Sequence, residues 1–129
     1  MTINLAIEHA HFRCADLEAA AQFYQHVLGA EFVRRTEHNG RVIITLRLGG
    51  IHLCLSPKPA AAELRVEENQ NRLGVYHLAF LVPHLEAAVA ECKQRGARFV
   101  LENFLAAPTR RVAFMEAPDG MQVELMEDF

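Results

Sequence analysis

Residues 5 to 14 carry apolar and polar positions in a broken alternation, the mark of a strand with one buried face. Asp16 then stands as an N-cap before Leu17 to Leu28, where Leu17, Ala20, Phe23, Tyr24, Val27 and Leu28 recur at helical spacing and form one apolar face. Gly29 ends that helix. Ala30 to Thr36 and Arg41 to Leu48 read as strands joined by the hairpin-turn pair Asn39-Gly40, and Gly49-Gly50 turns the chain into a further strand, Ile51 to Ser56. The same order follows later: a strand Val75 to Val82, a helix Leu85 to Arg95 stopped by Gly96, strands Arg98 to Leu101 and Arg111 to Met115, then Pro118-Asp119-Gly120 turning into Met121 to Met126.

These two runs share wording as well as pattern. His9, Phe12 and Leu17-Glu18-Ala19-Ala20 recur at one constant offset as His77, Phe80 and Leu85-Glu86-Ala87-Ala88. Gly29-Ala30-x-Phe32-Val33 recurs as Gly96-Ala97-x-Phe99-Val100, and Gly50-Ile51-His52-Leu53-Cys54-Leu55 is echoed by Gly120-Met121-Gln122-Val123-Glu124-Leu125. Duplication of one module is the economical explanation. The fold expected is α+β: two tandem βαβββ modules, residues 1–57 and 75–129, forming curved mixed sheets around a metal-binding cleft. Residues 58–74, rich in Ala, Glu, Asn and Arg, are the surface connector.

With 129 residues, of which 51% are hydrophobic, the chain can bury one core but leaves no room for a second independent domain. The net charge is −3, and the Lys and Arg are scattered, so the basic stripe of a nucleic-acid binder is missing. Neither a signal-peptide pattern nor an apolar run of about 20 residues is present, which predicts a cytoplasmic protein that does not enter a membrane. Cys14, Cys54 and Cys92 are odd in number and lack CxxC spacing; reduced thiols are expected.

The candidate chemistry follows from strand geometry. Alternate residues share a face, so His9, His11 and Arg13 point one way, as do His52 and Cys54. If both sheets curl around a common cleft, His77 and Glu124 join them. Two imidazoles and a carboxylate suit a divalent ion such as Mn, Fe, Co, Ni or Zn, with water or substrate oxygens completing the shell. A single strand His is ordinarily structural. Recurrence at equivalent points of a repeat favours the ligand reading instead.

The segment His9-Ala-His-Phe-Arg-Cys-Ala-Asp16-Leu, with Phe23-Tyr24 and Leu28-Gly29 after it, resembles the opening of the vicinal oxygen chelate superfamily of glyoxalases, bleomycin-resistance proteins and extradiol dioxygenases. The match continues through Tyr76-His77-Leu-Ala-Phe and Val112-Ala-Phe-Met-Glu-Ala-Pro118-Asp119-Gly120-x-x-x-Glu124-Leu125, covering nearly the whole chain, and is nearest in kind to the glyoxalase I-like members. The resemblance implies that His9, His77 and Glu124 hold one divalent ion (Zn, Ni, Mn, Co or Fe). The fourth ligand position of glyoxalase I falls on Cys54, which is read as a core or substrate-pocket residue, with His52 two residues earlier as a possible replacement ligand. Arg13 matches an Arg that holds a glutathione carboxylate in bacterial glyoxalase I, and a solvated or salt-bridged role for it stays open. The catalytic Tyr of fosfomycin thiol transferases aligns with Phe114, and their potassium-binding loop has no match in Leu105 to Arg110, which argues against that activity.

His11 faces the same cleft, as an acid or base or as the hydrogen-bond partner of a neighbouring strand. His84 takes the cap position of Asp16, His26 and His38 fall on exposed helix and turn positions, and Cys92 repeats the core position of Tyr24. The reaction implied is metal-assisted proton transfer, in which an ion chelating two neighbouring substrate oxygens stabilises an enediolate or enolate while Glu124 shuttles the proton. That is lyase or isomerase chemistry of the glyoxalase I type on a small molecule, with a glutathione or other thiol adduct as the candidate substrate. The alternatives are an Fe(II) extradiol-type dioxygenase, for which Tyr76 is expected to face the wrong side of its strand, and a non-catalytic binding protein. Each module alone is too small to close a pocket, so a homodimer is expected.

Overall fold

In a computed structural model, residues 3–4, 6–38, 40–58 and 75–129 are described. The chain divides into two compact units, Met1–Ala62 and Glu63–Phe129, each taken by itself below. Most of the expected connector (59–74) and Asn39 of the expected turn lie outside the described residues.

Module one contains β1 (His9–Cys14), α1 (Leu17–Gln22), β2 (Glu31–His38), β3 (Arg41–Leu48) and β4 (Ile51–Pro57). Its sheet runs β1-β4-β3-β2, with β1 parallel to β4 and the remaining pairs antiparallel. Module two repeats this with β5 (His77–Leu81), α2 (Leu85–Gln94), β6 (Phe99–Ala107), β7 (Arg110–Glu116) and β8 (Gln122–Asp128), in the order β5-β8-β7-β6. Two four-stranded mixed sheets with one helix apiece are the α+β architecture that the repeat predicts. The two-residue turn between β3 and β4 needs left-handed backbone at both positions, which Gly49 (φ 61°) and Gly50 (φ 87°) supply without a Cβ clash.

One face of each sheet is covered by its helix. In module one, Tyr24, Ala20 and Ala21 pack on Cys14, Ile44, Leu46, Leu53 and Leu55; in module two, Leu85, Val89 and Cys92 are buried on the helix, as are Ala113, Met115, Val123 and Leu125 on the sheet. Cys92 is therefore a core residue, as expected, and burial pushes its thiol pKa up. Because strand residues alternate, burying these positions leaves His9, His11, Arg13, His52 and Cys54 on the other face of sheet one, and His77 and Glu124 on the other face of sheet two.

Three expectations are corrected. The helix predicted over Leu17–Leu28 is α-helical only to Gln22, and Phe23–Val27 form a π turn. Module one holds one more residue between Leu17 and Gly29 than module two holds between Leu85 and Gly96, and the wider turn absorbs it. Thus Ala30 N reaches back to Tyr24 O, whereas Ala97 N reaches Cys92 O, one residue less far. Secondly, β6 runs to Ala107 rather than ending at Leu101, because Arg110–Glu116 continues to pair with it through several bulges. Register shifts at Phe32/Arg34 and Phe99/Leu101 fall at the same point of the repeat, and such bulges bend a sheet. The third concerns His84. It occupies the N-cap position but its side chain makes no cap bond; Glu127 on β8 accepts from Leu85 N at 2.7 Å instead, while Asp16 caps its own helix by accepting from Ala19 N at 3.0 Å.

Candidate functional site

In module two, β5 and β8 run parallel with His77 opposite Gln122 and Ala79 opposite Glu124. This register brings His77 Nε2 to 3.3 Å from Glu124 Oε1, with the two side chains 28% and 14% exposed. Two donors bound at about 2.0–2.2 Å to one ion lie roughly 3.0 Å apart at right angles and about 3.4 Å apart at the tetrahedral angle. The pair therefore fits adjacent ligand positions on a divalent cation. His77 Nδ1 is buried and has no hydrogen-bond partner among the described residues, so Nε2 is the ring atom with polar company.

Aromatic rings wall this pair. Phe114, directly opposite Glu124 on β7, lies with its ring centroid 5.3 Å from that of His77, and Tyr76 packs at 4.5 Å from His77 and 6.4 Å from Phe114. The expectation that Tyr76 faces the wrong side is overturned. Strict alternation holds only inside a strand, and Tyr76 lies one residue ahead of β5. Its carbonyl accepts from Gln122 N at 3.4 Å, and its hydroxyl donates to Gln122 Oε1 at 3.3 Å, which carries the phenol onto the face of Glu124.

Module one builds its counterpart differently. β1 and β4 place His9 opposite His52, His11 opposite Cys54 and Arg13 opposite Ser56. Glu8, again one residue ahead of the strand, accepts from His52 N through its carbonyl at 3.2 Å. Its carboxylate takes a hydrogen bond from His9 Nδ1 and lies 3.6 Å from His52 Nδ1. The His9 bond holds the Glu8 carboxyl below the usual carboxylate range. A carboxylate on Nδ1 leaves Nε2 of His9 as the available donor, the arrangement common behind metal-bound histidines. Glu8 was missed in the sequence because its neighbour His9, not its own spacing, gives it this role.

His11 and Cys54 find local partners. His11 Nε2 is 2.8 Å from Ser56 Oγ, and burial, then the charges of His9, Arg13 and Arg41, lower its pKa. Cys54 is partly buried with its sulfur 3.8 Å from Thr45 Oγ1. Within neither module do three His, Cys, Asp or Glu side chains form a metal-holding group among the described residues. Each module by itself brings together a smaller group: His77 with Glu124 in module two, and His9 and His52 beside the Glu8 carboxylate in module one.

The model of the Glyoxalase/Bleomycin resistance protein/Dioxygenase superfamily matches residues 6–125. The chain belongs to this superfamily. It is 32% identical over 127 residues to the uncharacterized protein YwkD of Bacillus subtilis (strain 168), covering 95% of this chain and 96% of that protein. It is also 29% identical to the lactoylglutathione lyase of Escherichia coli O157:H7 (93% of this chain, 90% of the lyase) and 30% identical to the human mitochondrial methylmalonyl-CoA epimerase (92% and 72%). A solved glyoxylase/bleomycin resistance protein/dioxygenase domain from Frankia sp. EAN1pec shares the fold, with a TM-score of 0.77 at 19% identity over 98% of this chain and all of that one. Relatives in this glyoxalase superfamily include a lyase and an epimerase, and no helix among the described residues is long and apolar enough to cross a membrane.

Proposed function

We propose that the protein is a divalent-metal-dependent lyase or isomerase of the glyoxalase I type, in which His9, His77 and Glu124 hold one ion (Zn, Ni, Mn, Co or Fe). The observation that carries this reading is the His77–Glu124 pair, two donor atoms 3.3 Å apart on the sheet face away from α2. Similarity to a lactoylglutathione lyase and a methylmalonyl-CoA epimerase supports a proton-transfer reaction on a small molecule. When bound, the ion supplies Lewis acidity to two neighbouring substrate oxygens and so acidifies the adjacent C–H. His9 and His77 contribute neutral nitrogen donors. Glu124 offers a carboxylate with a second oxygen free to accept the substrate proton and return it to the neighbouring carbon, completing the isomerisation without net redox change. His11, hydrogen-bonded to Ser56 on the site face of module one, is the second acid–base group. Arg13, His52 and Cys54 line the substrate pocket, and the rings of Tyr76 and Phe114 keep water from the carboxylate side. A glutathione or other thiol adduct is the substrate kind that the lyase similarity favours, and the protein is taken to act as a cytoplasmic homodimer.

Metal analysis decides the reading. The purified protein should retain about one divalent ion per site after dialysis. His77→Ala should weaken metal affinity more than about a hundredfold, beyond the range typical of outer-shell losses. Full metal occupancy in His77→Ala, or none in the wild type after reloading with any of the five ions, would sink the assignment. The second reading is an Fe(II) extradiol-type dioxygenase. It is favoured by the Tyr76 hydroxyl, which reaches the His77–Glu124 face and could serve as the phenolic acid–base group. Oxygen consumption with catechols by the Fe(II)-loaded protein would select it over the lyase.

A further inference from the structure

At the far end of the site face of module one, the last residue positions of β1 and β4 meet the start of β3. They enclose a cavity of about 550 Å³ lined by Arg13, Arg41, Lys58 and Ser56, with Gly40, Val42 and Pro57 completing the wall. Three of these residues are cations and none is acidic. Arg35 and Arg47 in the same module each pair with a glutamate, but Arg13, Arg41 and Lys58 have no carboxylate within ion-pair distance among the described residues. Like charges lining one cavity repel one another, and a ligand carrying a single negative charge offsets only one of them. A dianion relieves more of this repulsion. Tetrahedral phosphate also offers three oxygens, so two guanidinium forks and an ammonium can each find an acceptor.

We propose that this cavity binds the phosphate group of a phosphorylated substrate. Arg13 lies four residues along β1 from His9, roughly 13 Å at about 3.3 Å per residue. The substrate would then be an extended molecule with its reacting oxygens at the His9 end and its phosphate between Arg13, Arg41 and Lys58. The cavity volume holds the phosphate together with several carbons of the chain. Placing the reacting end at His9 rests on the metal reading of the preceding section; the phosphate site itself stands within module one.

The test therefore uses metal-free protein, with phenyl phosphate as the probe and benzoate as its monoanionic counterpart, titrated calorimetrically. Phenyl phosphate should bind at one per chain and at least about tenfold more tightly than benzoate, with amide shifts centred on Val42 and Ser56. Arg41→Ala and Lys58→Ala should each weaken it about tenfold, the loss expected for one charged hydrogen bond, with unchanged circular dichroism. Arg41→Lys should recover part of that loss and confirm that charge, not folding, is read. Equal affinity for benzoate would indicate a carboxylate clamp and overturn the proposal. So would undiminished phenyl phosphate binding in both alanine variants, or none in the wild type. Metal content, measured separately on the same variants, should match the wild type. A protein that binds phenyl phosphate but no metal would refute the lyase reading and leave the phosphate site intact.

Discussion

The two modules place equivalent backbone under unlike chemistry. In each, the residue ahead of the first strand is tied by its carbonyl to the last strand, Glu8 to His52 and Tyr76 to Gln122. In each, a histidine opens that first strand. Module two surrounds its histidine with rings and sets it against the mostly buried Glu124. Module one leaves His9 half exposed, braces it with the exposed Glu8, and fills the rest of the face with His11, Arg13 and a thiol where the repeat has Glu124. A carboxylate walled by apolar groups is poorly screened and acts strongly on a nearby cation, while an exposed, cationic face recognises an anion by charge. The two sheets thus match in backbone and differ in side chains: ring walls around a His–Glu pair in one, histidines braced by a carboxylate and followed by cations in the other.

That difference is sharpened first at Glu8. If its carboxylate braces His9, Glu8→Ala should weaken metal affinity by about ten- to a hundredfold, while Tyr76→Phe at the equivalent position should change it by much less. Competition with a chelator reads this directly; equal effects at the two positions would mean that the modules hold the ion in the same way.

A smaller effect separates the helices. Asp16→Ala should cost about 1 kcal/mol of stability through the lost cap, and Glu127→Ala a similar amount, whereas His84→Ala should be near neutral because His84 makes no cap bond. Denaturant midpoints at constant slope test the three together, and a costly His84→Ala would break the contrast.

The smallest effect belongs to Cys54. Its sulfur lies beside Thr45, and if it is a pocket wall as proposed, Cys54→Ser should leave metal stoichiometry as it is and alter mainly substrate selection. A large fall in metal content would show that module one supplies sulfur to the ion, and would move the metal choice towards Zn or Ni.

Element types, their order and the duplication were all written in local patterns. Alternation, helical spacing and Gly49-Gly50 depend on residues a few positions apart, and the repeat on comparing two such stretches of one chain, so a linear reading recovers them. Even the π turn had a signature, the extra residue before Gly29. The face shared by His9, His11 and Arg13 was equally legible, since a strand fixes it. Strand partners were not. The family resemblance, not the spacing, joins His77 to Glu124; that Ser56 engages His11, that Glu127 caps a helix begun more than forty residues earlier, and that Arg41 and Lys58 join Arg13 around one cavity all depend on register between distant strands. Register comes from the summed packing of both faces and the bulges between them, not from any one stretch of chain. Glu8 and Tyr76 mark the boundary most clearly: each stands one residue outside a strand, where alternation no longer dictates a face and tertiary contacts alone choose the direction of the side chain.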